Sequence, residues 1–314
     1  MVNLTHLDDP LFDGADATKR DLIGYLEAVA DRLIGQLRDR PLSVIRVRAG
    51  QQPFMQKNVP DYAPDWIKTV SMWAQSSSRE VRYALCDDEQ TLIWFGNQRA
   101  VEYHPTLSLA GSLDRPSYLV LDIDPPEGDA FRQAIGTARL VQHVLSDIGL
   151  SGAVKTSGSK GVHIYVPVDA SAEDAAAVTR AIAARAERLD PDLATTAFIR
   201  ADRAGKVFID STRAGGATVV AAYSPRVRPG VPVSFPVAWD SLEDVSPSDF
   251  TIFTAPGLLG GADPWAAGLG APQRLPADLL EEGHAIPVAR VQAMHEGKRR
   301  KRSGSGGIVG HIGP

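Results

Sequence analysis

Apolar residues at helical spacing begin early in the chain, just after Thr18. Thr18 and Asp21 have the spacing of a capping box, in which each side chain satisfies a backbone N–H at the start of a helix. The apolar positions that follow recur three or four residues apart: Leu22, Ile23, Leu26, Val29, Leu33 and Leu37. This period predicts a single amphipathic helix.

Between residues 40 and 102 the pattern changes to short apolar runs separated by turn residues. The segments LSVIRVRAG, TVSMWAQ, EVRYALC and TLIWFGN are each predicted to be strands. Together with the first helix, these runs predict a small, sheet-rich N-terminal α/β lobe over about residues 1–114.

From about residue 115 the predicted elements follow the order β-α-β-β-α-β. Strands are predicted at YLVLDID, AVKTS, VHIYVPV and KVFIDS, with ATVVAAYS after them, and helices at DAFRQAIGTARLVQHVLSDIG and AEDAAAVTRAIAARAERL. This order is typical of an α+β module of the ferredoxin-like or RRM-like type, whose helices cover one face of an antiparallel sheet. The other face is then free for chemistry.

We expect this catalytic core to span about residues 115–255. An extension over about residues 256–297 contains a predicted helix near residues 277–282. Residues 1–297 are thus predicted to form a single domain, and the basic segment 298–314 is predicted to be a disordered tail because it is rich in Gly, Ser, Lys and Arg.

Composition narrows the class of protein. The 314-residue chain has a formal net charge of -5, and one basic run supplies five of its positive charges, so a nucleic acid would have to be bound by local basic patches. The single cysteine, Cys86, excludes an internal disulfide framework and a cysteine zinc site. We find no signal-peptide pattern and no apolar run that could span a bilayer, so we expect a cytoplasmic monomer with no membrane partner.

Carboxylates gather at two predicted strand ends. Asp122 and Asp124 are two residues apart on one strand and therefore project from the same face. Asp210 ends a strand that the predicted topology allows to lie beside the first. Like charges held this close require a cation, and oxygen ligands suit Mg²⁺ or Mn²⁺. A lone DxD pair is more often a solvent-facing or capping feature, so the prediction depends on the joint pattern.

A second cluster of polar residues, in the segment KTSGSKGVH, separates two predicted apolar strands. Its backbone N–H groups, the hydroxyls of Ser157 and Ser159, and Lys160 all favour an anion, although a simple turn has the same composition. His163 begins the next strand. With the carboxylates, this segment predicts nucleotidyl transfer by two divalent ions about 3.5–4 Å apart. A DxD glycosyltransferase fits the first motif almost as well, but leaves SGSKGVH without a function.

Four segments in fixed order resemble one known family: DIDP, KTSGSKGVHIYVPV, RAGKVFID and YSPRVRPGVPVSFPVAWDSL. They are similar to the polymerase domain of bacterial ligase D, a member of the archaeo-eukaryotic primase superfamily used in non-homologous end joining. TKRDLIGYLEAVADRL, RPLSVIRVRAGQQPFMQK and AVEYHP resemble its opening helix, template-side segment and His-containing turn. The resemblance covers about residues 4–255 and includes no ligase or nuclease motif, so we expect a stand-alone relative with a primase-like fold and an RRM-like core.

The resemblance implies a primer- and template-dependent nucleotidyltransferase that prefers Mn²⁺ and uses rNTPs or dNTPs. It implies that Asp122, Asp124 and Asp210 bind two metal ions, with Asp210 beside the primer 3′-hydroxyl. The residues implied in nucleotide binding are Ser157, Gly158, Lys160, His163, Arg226, Lys57, Phe54 and His104. The candidate DNA contacts are Lys19, Arg200, Arg203 and Lys206.

The implied substrates are a primer-template and a gapped or broken duplex, with a DNA ligase and a DNA-end-binding protein as partners. Two departures from the family pattern bear on these substrates. Asp8, Asp9 and Asp13 lie near Lys19, where relatives grip a downstream 5′-phosphate, so we expect weaker dependence on that phosphate. The segment Ser211-Thr212-Arg213 also differs, which leaves template and sugar selectivity open.

Two alternatives remain. One is de novo priming; the other is a catalytically silent DNA-end-binding scaffold for a repair ligase. The intact carboxylates and His163 argue against the scaffold, which has no use for them.

Overall fold

The N-terminal helix predicted from residue 18 is present as two helices in the computed structural model, which describes residues 2–48, 50–74, 79–128, 130–214 and 218–288. α1 spans Lys19–Ala28 and α2 spans Ala30–Leu37. The capping box is confirmed, since the Thr18 side chain accepts from the Asp21 N–H and Asp21 accepts from the Thr18 N–H at 2.7 Å. A single continuous helix was wrong, because Val29 leaves the helical conformation (φ -107°, ψ 5°) and separates the two. The basic tail predicted at 298–314 lies outside the described residues.

The N-terminal lobe is built on a five-stranded sheet. Its strands are β1 (Leu42–Arg48), β2 (Gln51–Gln56), β3 (Thr69–Ala74), β4 (Arg79–Ala84) and, after a helix, β5 (Ala100–Pro105). The order is β2-β1-β4-β3, and β5 also pairs with β1. The segment AVEYHP therefore lies on a strand, so the turn that the resemblance implied at His104 was wrong.

One predicted strand of this lobe is a helix. TLIWFGN lies in α3 (Glu89–Asn97), which begins at Asp88, whose side chain accepts from the Thr91 N–H at 2.8 Å. Residues 91–97 are buried all round, and a short, continuously apolar run has the same pattern in a buried helix and in a buried strand. The N-cap Asp88 was the signal that distinguished the two.

The β-α-β-β-α-β order of the second half is confirmed. After a short hairpin, β6 (Ser108–Leu109) and β7 (Ser112–Pro116), the elements are β8 (Tyr118–Asp124), α4 (Phe131–Asp147), β9 (Ala153–Thr156), β10 (Val162–Pro167), α5 (Ala172–Leu189), β11 (Ala194–Thr195), β12 (Val207–Asp210) and β13 (Pro236–Val237). They form a six-stranded sheet in the order β11-β12-β8-β10-β9-β13, antiparallel except for the β11–β12 pair.

ATVVAAYS does not form the strand predicted for it. Its described residues follow β5 of the N-terminal lobe instead, with a single bridge between Thr106 and Thr218 and a hydrogen bond from the Ala221 N–H to the Tyr103 carbonyl at 2.9 Å. Tyr223 then takes a positive φ of 68°, which no regular strand allows. This segment therefore joins the two lobes.

The face of the core sheet opposite α4 and α5 is only partly free. Trp265 of α6 (Pro264–Leu269) packs edge-on against Tyr165, with ring centroids 4.9 Å apart, and Arg40 lies 5.1 Å from the centroid of the Tyr118 ring. The N-terminal lobe and the extension thus cover one end of this face and leave the end that carries the aspartates open. No helix in the described ranges is long and apolar enough to cross a membrane.

The predicted helix near residues 277–282 is confirmed as α7 (Ala277–Ala285), which packs on α5. Gly283 makes this contact close, since a Cβ built there would lie 2.1 Å from the Ala177 carbonyl oxygen. Buried apolar side chains form one cluster that extends from Leu11 to Leu279, so the extension shares the core of the lobes.

We predict that Gly283→Ala destabilises the protein, because the added methyl pushes α7 away from α5. The expected loss is about 1–3 kcal/mol of unfolding free energy, measured by urea denaturation. Gly24→Ala in α1 is the matched control, since nothing lies within 4 Å of a Cβ built there, and this control should gain about 0.5–1 kcal/mol. Equal stability of the two variants would contradict the close contact.

Candidate active site

Three carboxylates meet at neighbouring strand ends of the core sheet. In the antiparallel pair β8–β12, Asp210 lies opposite Asp122, and Asp122 lies opposite His163 of β10 on its other side. Asp124 is two residues along β8 on the same face. The predicted side-by-side position of the two carboxylate-bearing strands is confirmed.

Asp122 is the central member of this group and is 7% exposed. Its Oδ1 lies 3.2 Å from His163 Nε2, and its Oδ2 lies 2.9 Å from Arg213 Nη2. Burial alone would raise the pKa of Asp122, but His163 and Arg213 outweigh burial and hold it below its usual range. Asp122 therefore stays ionised near neutral pH.

Asp124 differs from Asp122 in its electrostatics. Burial, together with the negative charges of Asp122 and Asp210, raises the pKa of Asp124 to about 6. Both causes disfavour the ionised form of Asp124, and a cation placed beside it would oppose them.

Arg213 supplies positive charge to the carboxylate cluster. Its Nη2 lies 2.9 Å from Asp122 Oδ2 and 3.1 Å from Asp210 Oδ2, so one guanidinium bridges the two strands. Asp210 Oδ1 accepts hydrogen bonds from the N–H and hydroxyl of Thr212, at 2.8 and 2.6 Å. The sequence pattern marked Arg213 only as a departure from the family, and gave no signal that it pairs with Asp122, 91 positions away.

His163 is oriented by a lysine that the sequence analysis missed. Lys155 is fully buried, and its Nζ lies 2.9 Å from His163 Nδ1 and 2.5 Å from the hydroxyl of Ser234. Because His163 Nε2 faces the Asp122 carboxylate, Nε2 carries the proton and Nδ1 accepts from Lys155. Burial lowers the pKa of His163 to about 4, so the imidazole is neutral. The signal was the pairing of Lys155 with His163 across β9 and β10.

The Gly/Ser loop has the tight backbone expected of an anion-binding turn. Ser157 Oγ accepts from the N–H groups of Ser159 and Gly161, at 3.2 and 3.0 Å. Gly158 has a φ of 66°, and a Cβ there would lie 2.6 Å from the Arg226 side chain, so only glycine fits this position. The loop and Arg226 therefore form one surface.

A cavity of about 490 Å³ brings this surface and the carboxylates together. Its lining includes these predicted site residues: Asp122, Asp124, Ser157, Lys160, His163, His104 and Arg226. Arg213 and Met55 also contribute to the wall. The structure thus gathers two of the three carboxylates with basic and hydroxyl side chains in one cavity, whereas Asp210 is not among the residues that line it.

Glu102, a second missed residue, holds two predicted nucleotide-binding side chains. Its Oε2 lies 2.8 Å from His104 Nε2 and 3.1 Å from Arg226 Nε, and its Oε1 accepts from the Val227 N–H at 2.8 Å. Burial raises the pKa of Glu102, but the His104 hydrogen bond and the Arg226 charge outweigh it and lower the pKa to about 2. The signal was the i, i+2 spacing of Glu102 and His104 on one strand.

The template-side residues on β2 lie outside this group. Phe54 packs under the guanidinium groups of Arg46 and Arg48, whose carbons lie 5.8 and 5.0 Å from its ring centroid. Lys57 is exposed just beyond the end of β2. Met55, between them, lines the cavity instead.

The predicted DNA contacts divide into two groups. Arg200, Arg203 and Lys206 line a second groove of about 380 Å³ that reaches Asp124 and Lys160. Arg203 stacks 3.7 Å from the Phe208 ring centroid, and Lys206 donates to the Pro191 carbonyl at 2.6 Å. Arg200 and Lys160 both pair with Glu127, at 2.7 and 3.1 Å.

Lys19 does not present its ammonium group at the surface. It is 2% exposed, and its Nζ donates to the Thr5 carbonyl at 2.5 Å, so the predicted contact of Lys19 with DNA is not supported by its position. The neighbouring acids are paired as well, Asp8 with Arg20 at 2.8 Å and Asp9 with Arg99 at 3.7 Å. Sequence pattern alone could not show that Lys19 points inward.

The donor set suits divalent cations. Three carboxylates offer the oxygen ligands that Mg²⁺ and Mn²⁺ prefer, and a cation beside Asp124 would oppose the negative charges of Asp122 and Asp210 that contribute to its raised pKa. As they are placed, no three acidic, imidazole or thiol side chains in the described part of the chain surround a single point. Arg213 lies between Asp122 and Asp210.

Comparison with known proteins identifies the family. A model of the "LigD, primase-polymerase domain" family matches residues 18–265. The chain belongs to the LigD primase-polymerase domain family. The resemblance and the α+β fold class predicted from the sequence are both confirmed, and membership of this family implies a nucleotidyltransferase.

Three similar proteins illustrate the match. The "Bifunctional non-homologous end joining protein LigD" of Bacillus subtilis (strain 168) is 34% identical over 260 residues, which cover 81% of this chain and 41% of that protein. The "Multifunctional non-homologous end joining DNA repair protein LigD" of Mycobacterium tuberculosis is also 34% identical, over 77% of this chain and 34% of its own length. This LigD primase-polymerase chain therefore spans about two-fifths or less of the curated relatives it matches.

The fold match extends to a solved structure, the "Polymerase Domain from Mycobacterium tuberculosis Ligase D in complex with DNA". The two structures superpose with a TM-score of 0.75 at 31% identity, over 82% of this chain and 94% of the other.

We predict that Asp124→Asn stabilises the metal-free protein above pH 6. The folded wild type holds a proton on Asp124 up to about pH 6, whereas the ordinary pKa is 3.8. Ionising Asp124 therefore lowers the free energy of unfolding as the pH rises from about 4 to 6, and the whole loss persists above pH 6. The variant has no carboxylate at position 124 and does not suffer this loss.

Thermal unfolding in EDTA checks this prediction. At pH 7.5 the variant should melt roughly 3–6 °C above wild type, and the difference should shrink towards pH 4. Asp240→Asn, at an exposed position, is the control and should not change the melting temperature. An Asp124→Asn variant no more stable than wild type at pH 7.5 would show that ionised Asp124 does not destabilise the folded protein.

Proposed function

We propose that this LigD primase-polymerase chain is a template-dependent DNA/RNA polymerase. It adds rNTPs or dNTPs to a primer 3′-hydroxyl, filling short gaps or extending broken ends in DNA repair. The observation that carries the proposal is the cavity that Asp122 and Asp124 of β8 line together with the Gly/Ser loop, Lys160 and Arg226, with Asp210 of β12 paired opposite Asp122.

In this proposal Asp122 and Asp124 hold two Mn²⁺ or Mg²⁺ ions, and Asp210 holds the one beside the primer. When bound, such ions activate the attacking hydroxyl and neutralise phosphate charge during in-line displacement. His163 fixes the orientation of the Asp122 carboxylate through its Nε2–H, and Lys155 fixes His163. The chain forms no covalent bond to the nucleotide.

The opposite wall of the cavity binds the triphosphate. The backbone N–H groups and hydroxyls of the Gly/Ser loop, Lys160 and Arg226 provide donors and positive charge for an anion. Arg226 is held from two sides, by Glu102 and by a hydrogen bond that it donates to the Ser157 carbonyl. Since His104 shares Glu102, both side chains are oriented before the nucleotide arrives.

The groove lined by Arg200, Arg203 and Lys206 is proposed to take the DNA backbone, since it is basic and opens next to Asp124. The substrates would be a primer-template within a gapped or broken duplex. The named relatives are end-joining proteins, which supports a DNA ligase and a DNA-end-binding protein as partners. The buried position of Lys19 supports weak dependence on a downstream 5′-phosphate.

A catalytically silent scaffold that binds DNA ends for a repair ligase is the second candidate. The bridging guanidinium of Arg213 favours it, because Asp122 and Asp210 already have a cationic partner and could serve folding alone. The two candidates differ in whether the carboxylates take part in chemistry.

Incorporation of labelled rNTP and dNTP, each on a short-gap duplex with Mn²⁺, tests the proposal. We expect templated addition by wild type and by the control Asp240→Asn, and addition at background level by Asp122→Asn, which removes a metal ligand. If wild type binds the DNA but adds no nucleotide under any of these conditions, the scaffold is favoured and the polymerase proposal fails.

We also predict that Glu102→Gln weakens nucleotide binding more than it slows the chemical step. The neutral amide no longer forms an ion pair with the Arg226 guanidinium, and loss of the charged hydrogen bonds that Glu102 makes is worth about 1.5–3 kcal/mol, or roughly 10- to 100-fold in KM. Steady-state primer extension measures KM and kcat, and Glu243→Gln at an exposed ion pair with Arg139 is the control. A KM equal to that of wild type would mean that Glu102 does not position the nucleotide-binding side chains.

A further inference from the structure

Arg213 uses the same carboxylate oxygens that a metal ion would need. Its guanidinium contacts Oδ2 of Asp122 at 2.9 and 3.2 Å and Oδ2 of Asp210 at 3.1 Å. These two carboxylates come from adjacent strands and are 7% and 6% exposed, so they cannot turn to other partners in solvent. A guanidinium and a divalent cation cannot both lie between them.

Arg213 also borders the anion side of the cavity. Its side chain is 35% exposed, against about a tenth or less for the two carboxylates, and it lines the same cavity as Ser157, Lys160 and Arg226. A guanidinium is a bidentate donor for carboxylate and for phosphate alike. Once released from the aspartates, Arg213 would face the position proposed for the nucleotide phosphates.

We propose that Arg213 exchanges places with the metal ions and then becomes a nucleotide-binding residue. In the free protein it neutralises Asp122 and Asp210. When divalent cations bind these carboxylates, Arg213 leaves them and contacts a phosphate of the incoming nucleotide. This inference rests on the proposed function, because it assigns Arg213 to the nucleotide of that same site.

The exchange makes a prediction that a purely structural arginine does not. Removing the guanidinium removes a competitor of the metal, so metal binding without nucleotide becomes tighter. The same change removes a phosphate contact, so nucleotide binding at saturating metal becomes weaker. In wild type, metal and nucleotide therefore bind cooperatively, because each favours the released position of Arg213.

The test compares wild type with Arg213→Gln in two binding experiments that require no turnover. Electron paramagnetic resonance of free Mn²⁺ gives the metal Kd without nucleotide, which should fall about 5- to 30-fold in the variant. Binding of a non-hydrolysable fluorescent nucleotide at saturating Mn²⁺ gives the second Kd, which should rise about 5- to 30-fold. Unchanged values, or two changes in the same direction, would overturn the inference.

Controls separate this inference from folding effects and from the proposed function. Arg139→Gln, at an exposed pair with Glu243, should leave both Kd values unchanged. Arg213→Lys keeps the charge but loses the bidentate contact, so it should shift both Kd values in the same senses by less; it serves as the test if Arg213→Gln does not fold.

Asp122→Asn completes the design. Mn²⁺ binding that is lost in Asp122→Asn but equal in wild type and Arg213→Gln would overturn only the role of Arg213. Mn²⁺ binding that Asp122→Asn retains at full strength would instead remove the metal site on which the proposed polymerase depends.

Discussion

Electrostatic repulsion among three neighbouring carboxylates, of which Asp122 and Asp210 are buried, is the constraint on which the rest of this site depends. Asp122, Asp124 and Asp210 are held together by the pairing of β8 with β12, and backbone hydrogen bonds of the sheet oppose their mutual repulsion. His163 and Arg213 compensate Asp122, yet the pKa of Asp124 remains raised to about 6. Divalent cations, as proposed for this site, would relieve the repulsion that remains.

The N-terminal lobe contributes to the same cavity. Glu102 of the N-terminal sheet ties His104 to Arg226 of the core, so the wall proposed to bind the triphosphate is shared between lobes. At the far end of the same sheet face, Trp265 packs on Tyr165 and closes the space between lobes. The Trp265 packing at one end and the Glu102 ion pair at the other hold the two lobes together. They thereby set the distance between the carboxylates and the groups proposed to donate hydrogen bonds to phosphate.

The local sequence pattern was sufficient to predict a feature that depends on a single helix or strand. Period-2 alternation correctly placed the paired aspartates on one face of their strand. The strand predicted at residues 91–97 was wrong, because a buried helix and a buried strand can have the same continuous apolar run. The pairing of Arg213 with Asp122 was missed because the two lie 91 positions apart, and the contact of Glu102 with Val227 because they lie 125 positions apart. Lys155 was missed because a buried lysine looks like a surface one in sequence. The DNA contact predicted for Lys19 is not supported for the same reason, because packing decides whether a lysine side chain points inward or to the surface.

The most direct test of this account is the location of manganese in crystals grown with Mn²⁺ and a non-hydrolysable nucleotide. Anomalous scattering at the manganese edge should show two peaks, both touching Asp122 and Asp124 and one touching Asp210, with Arg213 moved away from the carboxylates. Manganese bound elsewhere, or no peak while Arg213 still bridges Asp122 and Asp210, would contradict the claim that the carboxylate cluster is the metal centre of a polymerase.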